Sequence, residues 1–182
     1  MSARHAIVLT CRNASGDPVR ALRQRAGALE AVPSMEAQGY PPHLTLVICD
    51  GAAPVDLADT LRQAFAGAAP YRITFDAVRR FPTAPHVLWL HPRERPQLRD
   101  LHATAYSLIA SEQCDPHYRP DRWEAHCTLA TGVLPERDAD ARRLLSEPFA
   151  PVEVFFDQIE LVSLPSVQAV CSVTLTASGP RC

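Results

Sequence analysis

A four-residue pattern occurs twice in this chain and constrains its fold more than any other stretch. His43-Leu44-Thr45-Leu46 and His126-Cys127-Thr128-Leu129 each set a histidine and a threonine two positions apart inside an apolar run. Successive side chains of a β-strand point to opposite faces, so each His shares a face with its Thr while the apolar neighbours take the other. With 7 His in 182 residues, His-x-Thr-Leu is expected by chance only about 0.04 times. Two copies therefore signal a repeated device, a strand with one packed face and one chemically equipped face.

The surroundings of the two copies also match. An aromatic residue stands three positions before each His, Tyr40 and Trp123, in a loop that contains proline, and a helical segment follows each strand. Internal duplication explains this economically. The expectation is a single domain, 1–182, with approximate halves 1–91 and 92–182. Two such α+β halves facing each other bring both His/Thr pairs into one cleft.

Taken in order, residues 4–11 read as a strand and 13–16 as a turn. Asp17-Pro18 opens a helix that the spacing carries to about Val32, since Asp accepts from free amides and Pro suits the first helical position. Pro33, Gly39, Pro41 and Pro42 mark a loop before the first motif strand, 43–49, which Asp50-Gly51 ends. Helical periodicity follows over 55–66, with Val55, Leu57, Ala58, Leu61 and Phe65 on one side. Strands are expected at 71–80 and 86–91, then a helix over 94–113, the second motif strand at 126–131, and a short helix from Pro135 to about Leu145. A long strand over 151–163 and a last one over 167–176 complete the reading.

Composition narrows the function classes. A formal charge of −2 and a pI near 6.4 argue against an extended surface for gripping nucleic acid. The arginines of the first 35 residues, Arg4, Arg12, Arg20, Arg23 and Arg25, read as a solvated helix face. The six cysteines show no metal-type spacing and read as small apolar residues of a reduced, cytoplasmic protein. The N-terminal apolar run is too brief for a secretory signal or a membrane span. A monomer with no metal and no cofactor is expected.

The stretches Tyr40-Pro41-Pro42-His43-Leu44-Thr45-Leu46 and Trp123-Glu124-Ala125-His126-Cys127-Thr128-Leu129-Ala130 resemble the paired signature of the two-histidine (2H) phosphoesterases. The nearest pattern is that of the bacterial 2'-5' RNA ligase-like proteins and RNA 2',3'-cyclic phosphodiesterases. The likeness extends to Phe81 through Pro92 and to Leu161-Val162-Ser163-Leu164. Ala125 departs from it, because proline normally precedes the motif histidine, as Pro42 does. The resemblance implies a bilobal α+β fold with two pseudo-symmetric halves, each an antiparallel sheet with flanking helices, and a metal-independent active site in the cleft between them.

The residue types suit that chemistry. Opening a cyclic phosphodiester needs a base for water, an acid for the departing sugar oxygen, and donors for the charge on the equatorial oxygens. His43 and His126 supply the acid and the base, in an order the sequence leaves open, and the hydroxyls of Thr45 and Thr128 supply donors. Tyr40 and Trp123 are candidates to stack a nucleobase. Arg12, Arg119 and Arg122 are candidate phosphate anchors. His5, His86, His91, His102 and His117 read as surface or helix-end residues. The leading reading is a phosphodiesterase acting on RNA termini or a small cyclic nucleotide. The same groups run in reverse as a 2'-5' RNA ligase, and a nucleotide-binding module without turnover is the third reading.

Overall fold

The computed structural model describes residues 4–51, 56–93 and 96–176. Eight strands, β1 (Arg4–Thr10), β2 (His43–Asp50), β3 (Tyr71–Phe81), β4 (His86–Pro92), β5 (Cys127–Val133), β6 (Val152–Phe156), β7 (Gln158–Leu164) and β8 (Gln168–Thr174), form two antiparallel four-stranded sheets. Their orders are β2-β1-β7-β8 and β5-β4-β3-β6. The helices are α1 (Asp17–Gly27), α2 (Ser34–Ala37), α3 (Leu57–Ala64), α4 (Pro96–Ser107) and α5 (Asp138–Ser146). The fold is therefore α+β and bilobal. In both sheets the motif strand is an edge strand, and its neighbour is the strand that precedes it in the chain.

Each lobe draws on both sides of the midpoint near residue 91. The first sheet takes residues 4–50 and 158–174, and the second takes 71–156. The repeat is carried by the units β1-α1-β2 and β4-α4-β5.

Alternation along the strands sets the two faces of the first sheet. Ile7, Leu9, Leu44, Leu46, Ile159 and Leu161 are buried in the main core. Ala6, Val8, Thr10, His43, Thr45 and Val162 lie on the opposite face, with Thr10 across from His43 and Val8 across from Thr45. A bulge after Ile7 lets Leu46 and Val47 both turn to the core without moving Thr45 off its face. The second sheet repeats the scheme. Leu88, Leu90, Cys127 and Leu129 pack inward, while Trp89 pairs with Thr128 on the other face.

The helices cross the seam. α1 packs on β5 and α4 packs on β2, so each lies against the motif strand of the other unit. α1 buries Val19, Arg23, Ala26 and Gly27, and α4 buries Leu98, Leu101, His102 and Ala105, stripes spaced three and four apart. Gly27 is required at its contact, since a Cβ there would meet the Cβ of Pro33 at 2.9 Å.

Four elements differ from the sequence reading. α1 stops at Gly27 rather than near Val32, because the chain turns to place Glu30 beside β5 and starts α2 at Ser34. α4 stops at Ser107 and gives way to turns, where backbone amides of 108 and 109 bond carbonyls three residues back. The run 151–163 is two strands in different sheets, β6 and β7, separated at Asp157. Asp157 bonds Thr10 O through its own N–H and accepts from Arg12 N, so it pins the crossover between lobes. His126 stands just ahead of β5 rather than inside it. Val55, residues 94–95 of the expected helix and Cys182 lie outside the described residues.

Glu30 fastens α1 to the second lobe. Its Oε1 accepts from the amides of Thr131 (2.8 Å) and Gly132 (2.6 Å), and its Oε2 accepts from Ser34 N and Oγ. A carboxylate that satisfies four donors at one buried point is costly to remove, because the amides lose their acceptor. Glu30→Ala should lower the unfolding free energy by about 2–4 kcal/mol, read from urea denaturation. A loss below about 0.5 kcal/mol, the range of ordinary surface changes, would show that the tie is not structural.

Candidate active site

β2 and β5 pack side by side at the seam between the sheets. Edge strands expose unpaired carbonyls, and here each motif threonine has its carbonyl capped from the other unit. Arg23 Nε, from α1, donates to Thr128 O at 3.1 Å, and Trp123 Nε1, from the loop before β5, donates to Thr45 O at 3.0 Å. The two His/Thr strands are thus locked to each other by reciprocal side-chain bonds.

Both histidines are oriented by one local rule. His43 Nδ1 lies 3.0 Å from Pro41 O, and His126 Nδ1 lies 2.7 Å from Glu124 O, the carbonyl two residues back in each case. A carbonyl only accepts, so Nδ1 carries the proton in both rings and each neutral Nε2 presents a lone pair. Arg23 Nη2 stands 3.4 Å from His43 Nδ1. With that nitrogen protonated, the guanidinium acts on the ring as a charge rather than as a donor.

That charge makes the two imidazoles unequal. His43 is pushed down to about 3, first by burial and next by the Arg23 charge, with His126 adding a smaller push. His43 begins β2 and His126 immediately precedes β5, the two strands that pack side by side at the seam. His126 is also lowered by burial, but the Glu124 carbonyl and carboxylate oppose the shift and no guanidinium contributes. The neighbouring charges act in opposite directions: Arg23 works against protonation of His43, and Glu124 favours protonation of His126. Tyr40 meets His43 edge-on at 5.1 Å, and Phe81 and Trp89 meet His126 edge-on at 5.1 and 5.9 Å.

The threonines have a defined partner on one side. Thr45 hydrogen-bonds the side chain of Tyr118, whose phenol is pushed up to about 12, chiefly by burial. That bond opposes the rise, so it is the Thr45 hydroxyl that donates to the phenol oxygen. His43 and Thr45 line a cavity of about 410 Å3 together with Tyr40, the apolar Ala6, Val8 and Val162, and the polar Arg4 and Gln38.

The other sequence candidates are distributed differently. The Tyr40 hydroxyl bonds Glu160, a carboxylate only 1% exposed, which also pairs with Arg12 at 2.7 Å. Arg12 is therefore tied to Glu160 beside the Tyr40 ring. Trp123 stacks on His102 at 4.1 Å, and His102 bonds Tyr118 O. These contacts make Tyr40 and Trp123 supports of the motif strands. Arg119 and Arg122 sit on the exposed loop before β5, with the Arg122 side chain 67% exposed. Sequence reasoning missed Arg23, which is 4% exposed, and His102, which is 3% exposed. The α1 periodicity carried the signal for Arg23, because it falls between Val19 and Ala26 on the buried stripe.

A family model described as the 2'-5' RNA ligase superfamily matches residues 13–167. The chain belongs to that superfamily of two-histidine phosphoesterases. Among solved structures, TT0787 of Thermus thermophilus is similar over 97% of this chain and 100% of its own, at 18% identity and a TM-score of 0.60. E. coli LigT, solved in complex with NADP+, is similar over 96% of this chain and 98% of its own, at 15% identity and a TM-score of 0.61. A protein of unknown function from Agrobacterium tumefaciens C58, ATU0111, is similar over 96% and 86%, at 13% identity and a TM-score of 0.57. At these identities the likeness shows a shared fold. No curated protein sequence matches the chain.

The His43 shift has a consequence for stability. Its pKa in the folded protein lies below the unfolded value near 6.5, so the neutral ring stabilises the fold above 6.5. That contribution is lost as pH falls from 6.5 toward 3. The thermal midpoint should drop on acidification across this window, and His43→Gln, which cannot protonate, should flatten the drop. An equal pH dependence in parent and variant, measured by scanning calorimetry, would contradict the shift.

Proposed function

We propose that this protein is a phosphodiesterase that opens 2',3'-cyclic phosphates on RNA ends or small nucleotides by two-histidine acid/base catalysis. The observation that carries the reading is the matched pair of imidazoles, both with Nδ1 on a carbonyl and Nε2 left for substrate, in opposite charge environments. His43, kept neutral, takes the proton from the attacking water. His126, the more basic ring, gives its proton to the sugar oxygen that leaves phosphorus. Thr45, its hydroxyl turned from the Tyr118 phenol, and Thr128 donate to the non-bridging oxygens, where charge gathers in the transition state. Water loses one proton and the leaving oxygen gains one, so the pair ends with its protonation exchanged and bulk water resets it.

The superfamily and the ligands of a structural relative agree with a nucleotide substrate. LigT has been solved with 3'-AMP, with ATP and with phosphate. The cavity beside His43 and Thr45 is lined mostly by apolar residues and by Tyr40, surroundings that suit a nucleobase better than a charged strand. Ligation is the second reading, favoured by the family. A ribose 5'-hydroxyl then replaces water, and the product is a 2'-5' linkage. Hydrolysis wins where no second RNA end is held in place, because water is always present.

The test is turnover of nucleoside 2',3'-cyclic phosphates and of cyclic-phosphate RNA in the presence of chelator. Hydrolysis should survive chelation, and His43→Ala or His126→Ala should each lower kcat by about 10²–10⁴. Because His126 must carry a proton and is shifted down, kcat/KM should peak below pH 6.5 and fall as pH rises. Near-full activity in either alanine variant would remove the acid/base assignment, and efficient joining without hydrolysis would make the protein a ligase.

A further inference from the structure

Behind Tyr40, away from the apolar cavity that holds His43 and Thr45, lies a second cavity of about 350 Å3. Arg12, Arg20 and Arg23 line it, together with Gln24, Met35, Gly39, Tyr40 and Pro41, and no acidic residue is among its described lining residues. Two of its arginines are paired, Arg12 with Glu160 and Arg20 with Asp17. Arg23 is not. It is 4% exposed, its bonds run to the neutral carbonyls of Tyr40 and Thr128 with His43 Nδ1 and the Cys127 side chain also beside it, and it forms no ion pair with any described residue. A buried charge is ordinarily paired, because uncompensated charge in a low-dielectric site is costly.

The pseudo-symmetric counterpart serves as an internal control. Between α4 and the loop before β5 lies a cavity of about 560 Å3 in the matching place, with His102 and Trp123 where the first has Arg23 and Tyr40. Its lining mixes Arg99 with Asp100 and Glu124. A positive cavity is therefore not a by-product of the repeated architecture. It is particular to the first unit.

We propose that this cavity is an anion site that takes a phosphomonoester group. The missing counter-charge of Arg23 is the phosphate dianion, held by the guanidinium forks of Arg12 and Arg20 at the mouth, a geometry arginine serves well. The volume accommodates a phosphate with part of the molecule that bears it. The phosphate is either a second one on the substrate nucleotide or that of a separate molecule. The site communicates with the reaction centre directly, since Arg23 stands against the Nδ1 edge of His43.

The test begins with calorimetric titration of inorganic phosphate into His126→Ala protein, in which the cleft has lost one of its phosphate-facing groups. Binding should persist, weaken roughly tenfold or more in Arg20→Gln and in Arg12→Gln, and stay unchanged in Arg62→Gln, which removes an equal charge from exposed α3. This arm does not depend on the proposed reaction. Binding that is unaffected by Arg20→Gln and Arg12→Gln, or weakened as much by Arg62→Gln, overturns the site. A second arm, which rests on the phosphodiesterase reading, compares KM for a 2',3'-cyclic nucleotide with and without a 5'-phosphate. A rise in Arg20→Gln confined to the 5'-phosphorylated substrate assigns the site to the substrate's own phosphate. Unchanged KM for both, with phosphate binding lost, assigns it to a separate phosphate-bearing molecule.

Discussion

One buried guanidinium holds the site together. Arg23 leaves α1 in the first unit, bonds the carbonyl of Tyr40 just ahead of β2, and bonds the carbonyl of Thr128 in β5. Each such charge-assisted bond contributes about 1.5–3 kcal/mol, while removing a guanidinium from water costs several kcal/mol. The two nearly cancel. What Arg23 contributes is therefore position rather than net stability, because without it two interior carbonyls on opposite sides of the seam lose their donor. It is also the charge that separates the two imidazoles. Trp123 is its counterpart, bonding Thr45 from the second unit with an indole that carries no charge. The fold is pseudo-symmetric, but its fasteners are not, and the proposed division into acid and base rests on that inequality.

The edge position of β2 and β5 explains why the chemistry sits where it does. A central strand has both ladders filled, so its backbone has nothing to offer a side chain from elsewhere. An edge strand has a free row of carbonyls, and a second edge strand beside it creates a seam that needs capping. The chain meets that need with groups that also set the site. The carbonyls of Pro41 and Glu124 fix the ring tautomers, and the Arg23 charge weighs on one ring. In the proposed reaction the same few atoms thus serve structure and chemistry.

The paired motif was legible because a strand of period two puts His and Thr on one face at any depth in the protein, and because it occurs twice. Most of the strands and their inward faces followed from the apolar runs, but the sheet order did not, because the first sheet joins β1 and β2 to β7 and β8 from the far end of the chain. Arg23 was not legible in the same way. An arginine on a helix is usually solvated, and only the neighbours at Val19 and Ala26 show that this one lies on the packed side. The break at Asp157 was hidden because strands of two different sheets, joined through one residue, give an unbroken run of β-forming residues. The sequence also left open what the polar atoms of Tyr40 and Trp123 reach, which are Glu160 and Thr45 O. Spacing locates an aromatic near a histidine but says nothing about which partner its N–H or O–H will find. His102 was hidden for the same reason, since its value lies in a stack with Trp123 that joins α4 to the loop before β5.

The account stands on the inequality that Arg23 imposes on two otherwise matched histidines. The most direct measurement is a nitrogen-15 NMR titration of the imidazole rings, in the parent protein and in Arg23→Gln. His43 should remain neutral with its proton on Nδ1 down to the lower limit of folding, His126 should titrate above it, and Arg23→Gln should raise His43 toward His126. Rings that titrate together in the parent, or a His43 that is indifferent to the loss of Arg23, would contradict it.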